Sequence, residues 1–154
     1  MVNVGQPVPA FDLPATGDKN LSLDSFQGKN LVLYFYPKDN TPGCTREGQD
    51  FRDHYTAFQD ANTEIVGVSK DSIRKHENFC AKQGFPFDLI SDEDEVLCAI
   101  FDVIKEKNMY GRKYMGIERS TFLIDTKGVL REEWRKVKVP GHVEAVLAAV
   151  QDLD

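Results

Sequence analysis

The run Asn30-Leu31-Val32-Leu33-Tyr34-Phe35, followed almost at once by Pro37-Lys38-Asp39-Asn40-Thr41-Pro42-Gly43-Cys44, leaves this chain few ways to fold. The first six residues are rich in β-branched and aromatic side chains. Bounded by Gly28 and Pro37, they read as a buried strand. Beyond the punctuated stretch, Cys44, Gly48, Phe51, Tyr55 and Phe58 recur at steps of four and three. That spacing is one face of an α-helix, predicted over about residues 43–60. Pro42 and Gly43 turn the chain into the helix, and Thr41 stands where a cap belongs. The unit is strand, tight loop, helix, with a cysteine in the first helical turn. A helix start offers backbone N–H groups without partners and the positive end of the helix dipole, so an anion is stabilised there. The anionic form of a thiol is its nucleophilic form. Cys44 also fits the plainer description of a small apolar residue on the buried stripe, but its place at a Pro/Gly-punctuated helix start favours a reactive role.

The rest of the chain supplies the sheet and helices that such a unit needs. Residues 2–24 carry Pro, Gly and polar residues with apolar points at Val8, Phe11, Leu13, Leu21 and Leu23, which reads as a small β-hairpin or extended cover. Strands are predicted at 63–69, 87–90 and 120–124. The last turns through Asp125-Thr126-Lys127-Gly128 into a partner over 129–137. Helices are predicted over 71–82, after the acidic run Asp92-Glu93-Asp94-Glu95, and over 142–153. Residues 105–116 read as a loop or hairpin. Strands alternating with helices imply an α/β sheet, and the hairpin near the end makes it mixed. A length of 154 residues fits one domain, 1–154. The net charge of −6 argues against nucleic acid as the main partner, because phosphate binding needs clustered cations. Three scattered cysteines do not make a disulfide scaffold, so a reducing, cytoplasmic location is expected. The first ten residues show neither the basic flank nor the apolar run of a secretion signal, and no stretch approaches the length of a membrane span.

Pro37-x-x-x-Thr41-x-x-Cys44 resembles the active-site signature of peroxiredoxins, thiol peroxidases of thioredoxin-like fold. The fuller Thr41-Pro42-Gly43-Cys44-Thr45 is similar to the peroxiredoxin Q group, also called bacterioferritin comigratory proteins. The likeness extends from Gly5-x-Pro7-x-Pro9-x-Phe11 through Ser91-Asp92-Glu93 to Arg119-Ser120-Thr121-Phe122-Leu123-Ile124-Asp125. It implies a central mixed sheet flanked by helices, with an N-terminal β-hairpin extension. It also implies hydrogen peroxide or alkyl hydroperoxides as substrate, thioredoxin or a similar dithiol as reductant, no cofactor, no metal, and a monomer rather than a dimer.

A peroxide O–O bond is weak, so an aimed thiolate can break it by displacement. Cys44 is the expected nucleophile and becomes a sulfenic acid. The backbone N–H groups of Gly43 and Cys44 are expected to donate to the peroxide, and the Thr41 hydroxyl to donate and accept beside it. Pro37 is expected to fix the loop and shield the thiolate. Arg119 taken alone is an ordinary surface charge. The resemblance places it beside the reactive sulfur, and it makes Glu47 the carboxylate that orients it.

The resolving thiol is where the sequence departs from the commonest pattern. Many relatives have a second cysteine five residues after the first, and here that position is Gln49. Cys80, 36 residues downstream in the second helix, fits a variant of the group that resolves from that helix. Its other reading is core packing with Ile73 and His76, and Cys98 reads as core. A disulfide needs Cα atoms about 4.4–6.8 Å apart, which two separate helices do not usually provide. The first turn of the Cys44 helix and part of the Cys80 helix are therefore expected to unwind during turnover. A peroxidase resolved by an external thiol and a non-enzymatic binding module of the same fold are the alternatives. A cysteine hydrolase needs a histidine partner, a disulfide reductase needs a cysteine where Glu47 stands, and a zinc site needs clustered ligands. His54, His76 and His142 read as surface or packing residues.

Overall fold

The computed structural model describes residues 1–153. The chain runs through β1 (Asp12–Ala15), β2 (Lys19–Ser22), β3 (Asn30–Phe35), α1 (Pro42–Asp53), α2 (Tyr55–Asp60), β4 (Thr63–Ser69), α3 (Ile73–Gln83) and β5 (Asp88–Ser91). It continues through α4 (Val96–Phe101), β6 (Ile104–Met109), β7 (Arg112–Ile117), β8 (Ser120–Ile124), β9 (Leu130–Trp134) and α5 (His142–Gln151). Seven strands form one sheet in the order β2-β1-β5-β4-β3-β8-β9, and β6 and β7 form a separate ribbon. β3, β4 and β5 run parallel, while β8 and β9 are antiparallel. The sheet is mixed and flanked by helices, with the N-terminal hairpin β1–β2 at one edge, as expected.

The alternation in β3 builds two cores. Leu31, Leu33 and Phe35 join Phe122, Ile124 and the α4 residues Leu97, Cys98 and Phe101 on one face. Val32 and Tyr34 join Phe51 of α1, Phe58 of α2, Phe79 of α3 and Val143, Val146 and Val150 of α5 on the other. Side chains two apart along a strand share a face, so a single run anchors both layers.

Two elements differ from expectation, and residues 105–116 take one of their two expected forms. The helix predicted over 43–60 breaks at His54, whose backbone leaves helical geometry (φ −103°, ψ 6°). Its imidazole Nδ1 lies 2.8 Å from the Asp50 carbonyl oxygen, competing for the acceptor that the helix ladder uses. Tyr55 and Phe58 still fall on the apolar stripe because α2 packs on the same core, so periodicity alone does not reveal the break. The segment 105–116 is a hairpin, turned by Tyr110 and Gly111, both with positive φ. The partner of β8 is shorter than 129–137 and carries a register shift opposite Leu123 and Ile124. The acidic run behaves as a helix start: Asp92, fully buried, accepts from the N–H groups of Val96 and Cys98.

Candidate active site

The site forms where β3 delivers the chain into α1. The pairing with β4 continues one residue past the strand, Tyr36 N–H donating to the Val68 carbonyl at 3.1 Å, before the loop turns through Asn40 at positive φ. Pro42 is the first residue of α1, where its missing N–H costs nothing. Cys44 therefore lies in the first turn. Helix-type pairing begins with Thr45 N–H, which donates to the Thr41 carbonyl at 2.9 Å. The Gly43 and Cys44 N–H groups precede it and have no protein partner among the described residues.

Thr41 occupies the N-cap position with extended backbone, but its hydroxyl does not cap the helix. It donates instead to the Lys38 carbonyl at 2.9 Å, because the loop folds back on itself. That bond commits the hydroxyl proton and leaves the oxygen's lone pairs open. Pro37 lies on the surface side of the loop and is exposed.

Arg119, immediately before β8, reaches across to α1. Its Nη2 donates to Cys44 Sγ at 3.2 Å and its Nη1 to Glu47 Oε1 at 2.6 Å. Cys44 is 2% exposed and Glu47 0%. In so dry a setting a fixed cation acts strongly on a nearby anion. Burial disfavours the guanidinium charge, but Glu47 and Cys44 outweigh it and hold the Arg119 pKa above its ordinary value. Burial also dominates at Glu47, whose carboxyl is pushed up to about 7 although Arg119 pulls it down. Gly43 makes room for this arrangement: a methyl there would stand 3.2 Å from Arg119 Nη2.

Reasoning from sequence missed the layer behind Glu47. His142, first residue of α5, lies with Nε2 2.8 Å from Thr121 Oγ1 and 3.9 Å from Glu47 Oε2, an oxygen with no hydrogen-bond partner. Burial, then the Arg119 charge, pushes its pKa down to about 4, so the ring is neutral at pH 7. Lys107 of β6 is within electrostatic reach of both Arg119 and Cys44, which puts the β6–β7 ribbon beside the site. No spacing in the sequence links these residues to Cys44. They meet only through the order of strands.

Cys80 sits apart from this cluster in the folded form. All three cysteines are free, and the Cys80 thiol points towards the Phe87 carbonyl at 3.9 Å. Burial, helped by Asp88 and Glu77, pushes its pKa up to about 12. Gln49 bonds instead to Gln83 at the end of α3, Nε2 to Oε1 at 2.9 Å. Cys98 is fully buried in the core of the opposite face.

A cysteine in the first turn of a helix, held by an arginine just before a neighbouring strand of a mixed α/β sheet, is the arrangement expected of a thiol peroxidase of thioredoxin-like fold. The chain belongs to the AhpC/TSA family, whose model matches residues 4–133. It is 56% identical over 147 residues to the peroxiredoxin Bcp of Xanthomonas campestris pv. campestris, covering 94% of this chain and 92% of that one. It is 47% identical over 152 residues to the peroxiredoxin Bcp of Bacillus subtilis, covering 99% and 97%. Among solved structures, a Xanthomonas campestris peroxiredoxin Q superposes with a TM-score of 0.88 at 56% identity over 92% of this chain and 89% of that chain. A cysteine-to-serine mutant of the Xylella fastidiosa PrxQ gives 0.93 at 47% identity over 98% and 96%. The protein is thus a peroxidase, an oxidoreductase of the peroxiredoxin class. Among the described residues no helix is long and apolar enough to cross a membrane.

Proposed function

We propose that Cys44 reduces hydrogen peroxide and alkyl hydroperoxides, that Cys80 resolves the product, and that a thioredoxin-type dithiol completes the cycle. The single observation that carries the reading is the bridge from Glu47 through Arg119 to the Cys44 sulfur, at 2.6 and 3.2 Å. The thiolate attacks the terminal peroxide oxygen. An S–O bond forms, the O–O bond breaks, and the departing oxygen takes up a proton and leaves as water or alcohol. Arg119 holds the thiolate and then the charge developing on the departing oxygen. The free N–H groups of Gly43 and Cys44 donate to the peroxide, and the open lone pairs of Thr41 accept a hydrogen bond from its O–H. Glu47 orients Arg119, and Pro37 stiffens the loop.

The Cys80 thiolate then attacks the sulfenic sulfur, expelling hydroxide that leaves as water, and a Cys44–Cys80 disulfide results. In the folded form the Cys80 thiol is held protonated in its pocket, so this step requires part of α3 and the first turn of α1 to unwind. Exchange with an external dithiol returns both thiols. The chain acts as a single cytoplasmic domain, 1–154, and as a monomer. A Xanthomonas campestris bacterioferritin comigratory protein, 55% identical, has been studied for alkyl peroxide reduction, which supports extending the substrate range to alkyl hydroperoxides.

The half-buried, protonated state of Cys80 favours a second reading, resolution of Cys44 by an external thiol. Mass spectrometry after one equivalent of peroxide separates the two. A Cys44–Cys80 peptide is expected. A persistent sulfenic acid with Cys80 free, together with undiminished thioredoxin-dependent turnover in Cys80→Ser, would remove Cys80 from the cycle.

A further inference from the structure

Asp39 lies between Pro37 and Thr41 in a loop whose neighbours, Lys38 and Asn40, are exposed, yet it is itself buried. Its carboxylate is fully engaged. Tyr36 donates its hydroxyl to Oδ1 at 2.6 Å, and His76 Nδ1 lies 2.7 Å from Oδ2. His76 is also fully buried, and its Nε2 lies 2.9 Å from the Ile90 carbonyl oxygen. A carbonyl oxygen only accepts, so Nε2 carries hydrogen, and one proton is left between Nδ1 and the Asp39 carboxylate. A second tie runs alongside. Asp71, just before α3, accepts the Asp39 N–H at 2.9 Å and the Ser69 hydroxyl at 2.6 Å, and Ser91 donates to the Asp71 carbonyl at 2.6 Å. Ligand-type atoms of Asp39, Asp71 and His76 fall within 4.8 Å of one another. They already hold one another, and the group is a closed clasp rather than an open metal site.

The clasp joins the two halves of the chemistry. Its loop end stands two residues before Thr41 and five before Cys44. Its helix end, His76, stands one turn before Cys80 on the same face of α3. We propose that Asp39 and His76 are positioning residues that lock the peroxide-reducing loop onto the helix bearing the resolving thiol. The clasp thereby favours attack on peroxide and delays disulfide formation. This rests on the assignment of Cys80 above. Unwinding α3 far enough to free Cys80 pulls His76 from Asp39 and strands a buried carboxylate, which is costly. The same bonds hold Asp39 and therefore the backbone leading into Thr41 and Cys44. Loosening the clasp should move the two chemical steps in opposite directions, whereas a residue that only supports the fold would slow both.

The test is stopped-flow fluorescence on the full chain. It follows the single tryptophan, Trp134, which packs edge-on against His142 behind the site. For His76→Ala the disulfide-forming phase is expected to quicken about tenfold, a modest part of what breaking a buried pair does to an equilibrium. The peroxide-dependent phase should slow, and about tenfold more peroxide should be needed to drive Cys44 to the sulfinic acid. Asp39→Asn keeps the size and the Tyr36 bond but loses the charge, and is expected to show the same opposed shifts at smaller amplitude. It also serves if His76→Ala fails to fold. His76→Gln, with an amide to offer Asp39, should move both phases back towards wild type. Phases that slow together, or do not change, in folded variants overturn the proposal. Mass spectrometry of the oxidised wild type keeps the two ideas apart. A Cys44–Cys80 link with unchanged phases in the variants sinks the clasp alone, while absence of the link sinks both.

Discussion

At the scale of single residues, the site turns on Arg119, which is held between the Glu47 carboxyl and the Cys44 sulfur in a dry place. Replacing it with Met removes the cation from Cys44 but should leave the fold intact. Glu47, already pushed up to about 7 by burial, then loses the two effects that lower it and keeps its proton. For Arg119→Met, kcat/KM towards hydrogen peroxide is expected to fall about 10²–10³-fold, the cost of losing a preorganised donor, and iodoacetamide should label Cys44 more slowly. Unchanged alkylation would show that the guanidinium does not govern the sulfur's reactivity. His142 carries a prediction of its own. Its pKa is about 4 in the folded protein against an ordinary 6.5, so below pH 6.5 the unfolded chain takes a proton that the folded one refuses. Stability is then lost as pH falls from about 6.5 to about 4, by at most about 3 kcal/mol. Glu47 has the opposite sign: its raised value removes stability as pH climbs from about 4.5 to about 7. Urea unfolding at pH 7 and 4.5 should therefore show a smaller acid-side loss in His142→Gln than in wild type. Parallel curves would place the linkage elsewhere.

At the scale of elements, Gly48 shows how α1 meets the end of α3. A glycine inside a helix ordinarily weakens it, and Ala there should add about 0.5–1 kcal/mol. Here a methyl would come 2.3 Å from Cζ of Phe85, a ring packed edge-on to Phe79 and stacked on Phe87. Gly48→Ala is expected to destabilise by about 1–3 kcal/mol net, read as a lower urea midpoint with unchanged m-value. A more stable variant would mean that Phe85 swings aside freely. This contact also marks the limit of what the sequence discloses. β3, β4, α3 and β8 were legible because their apolar periods and their Gly, Pro and Ser punctuation are local, and Ser72 does accept from Lys75 N–H as a cap should. Cys44 was legible for the same reason. The break at His54, the hydroxyl of Thr41 turned to Lys38, and the pairing of His76 with Asp39 and of His142 with Thr121 were not, since each depends on partners 3 to 37 residues away that no periodicity encodes. Arg119 and Glu47 were found by resemblance, and the site geometry now supplies the physical reason for them.

At the scale of the whole molecule, the sheet and the reacting helices differ in what holds them. β3 contributes to both cores and is paired along its length with β4 on one side and β8 on the other, with Leu31, Val32, Leu33, Tyr34 and Phe35 all buried. The helix α3 faces the core through Phe79 and partly through Cys80, and is otherwise tied by polar contacts: the Asp39–His76 pair, the Asp71 bonds, and Gln83, which accepts from Gln49 and Arg52. Apolar burial on both faces is lost only when the sheet comes apart, whereas polar ties at the rim can open locally. Hydrogen exchange read by mass spectrometry should therefore divide the molecule along that line. In the reduced protein, the amides of β3, β4 and β8 are expected to exchange only through global unfolding, and those of residues 73–83 through a cheaper local opening. Forming the Cys44–Cys80 disulfide should abolish the protection of 73–83 and weaken that of 41–46, raising exchange at least about tenfold, since each factor of ten is worth about 1.4 kcal/mol of local stability. The central strands should not respond. Loss of protection spreading into β3 would mean that the disulfide strains the sheet itself. Retention in 73–83 would mean that the thiols meet without unwinding, and the opening of α3 could then not be what slows the resolving step.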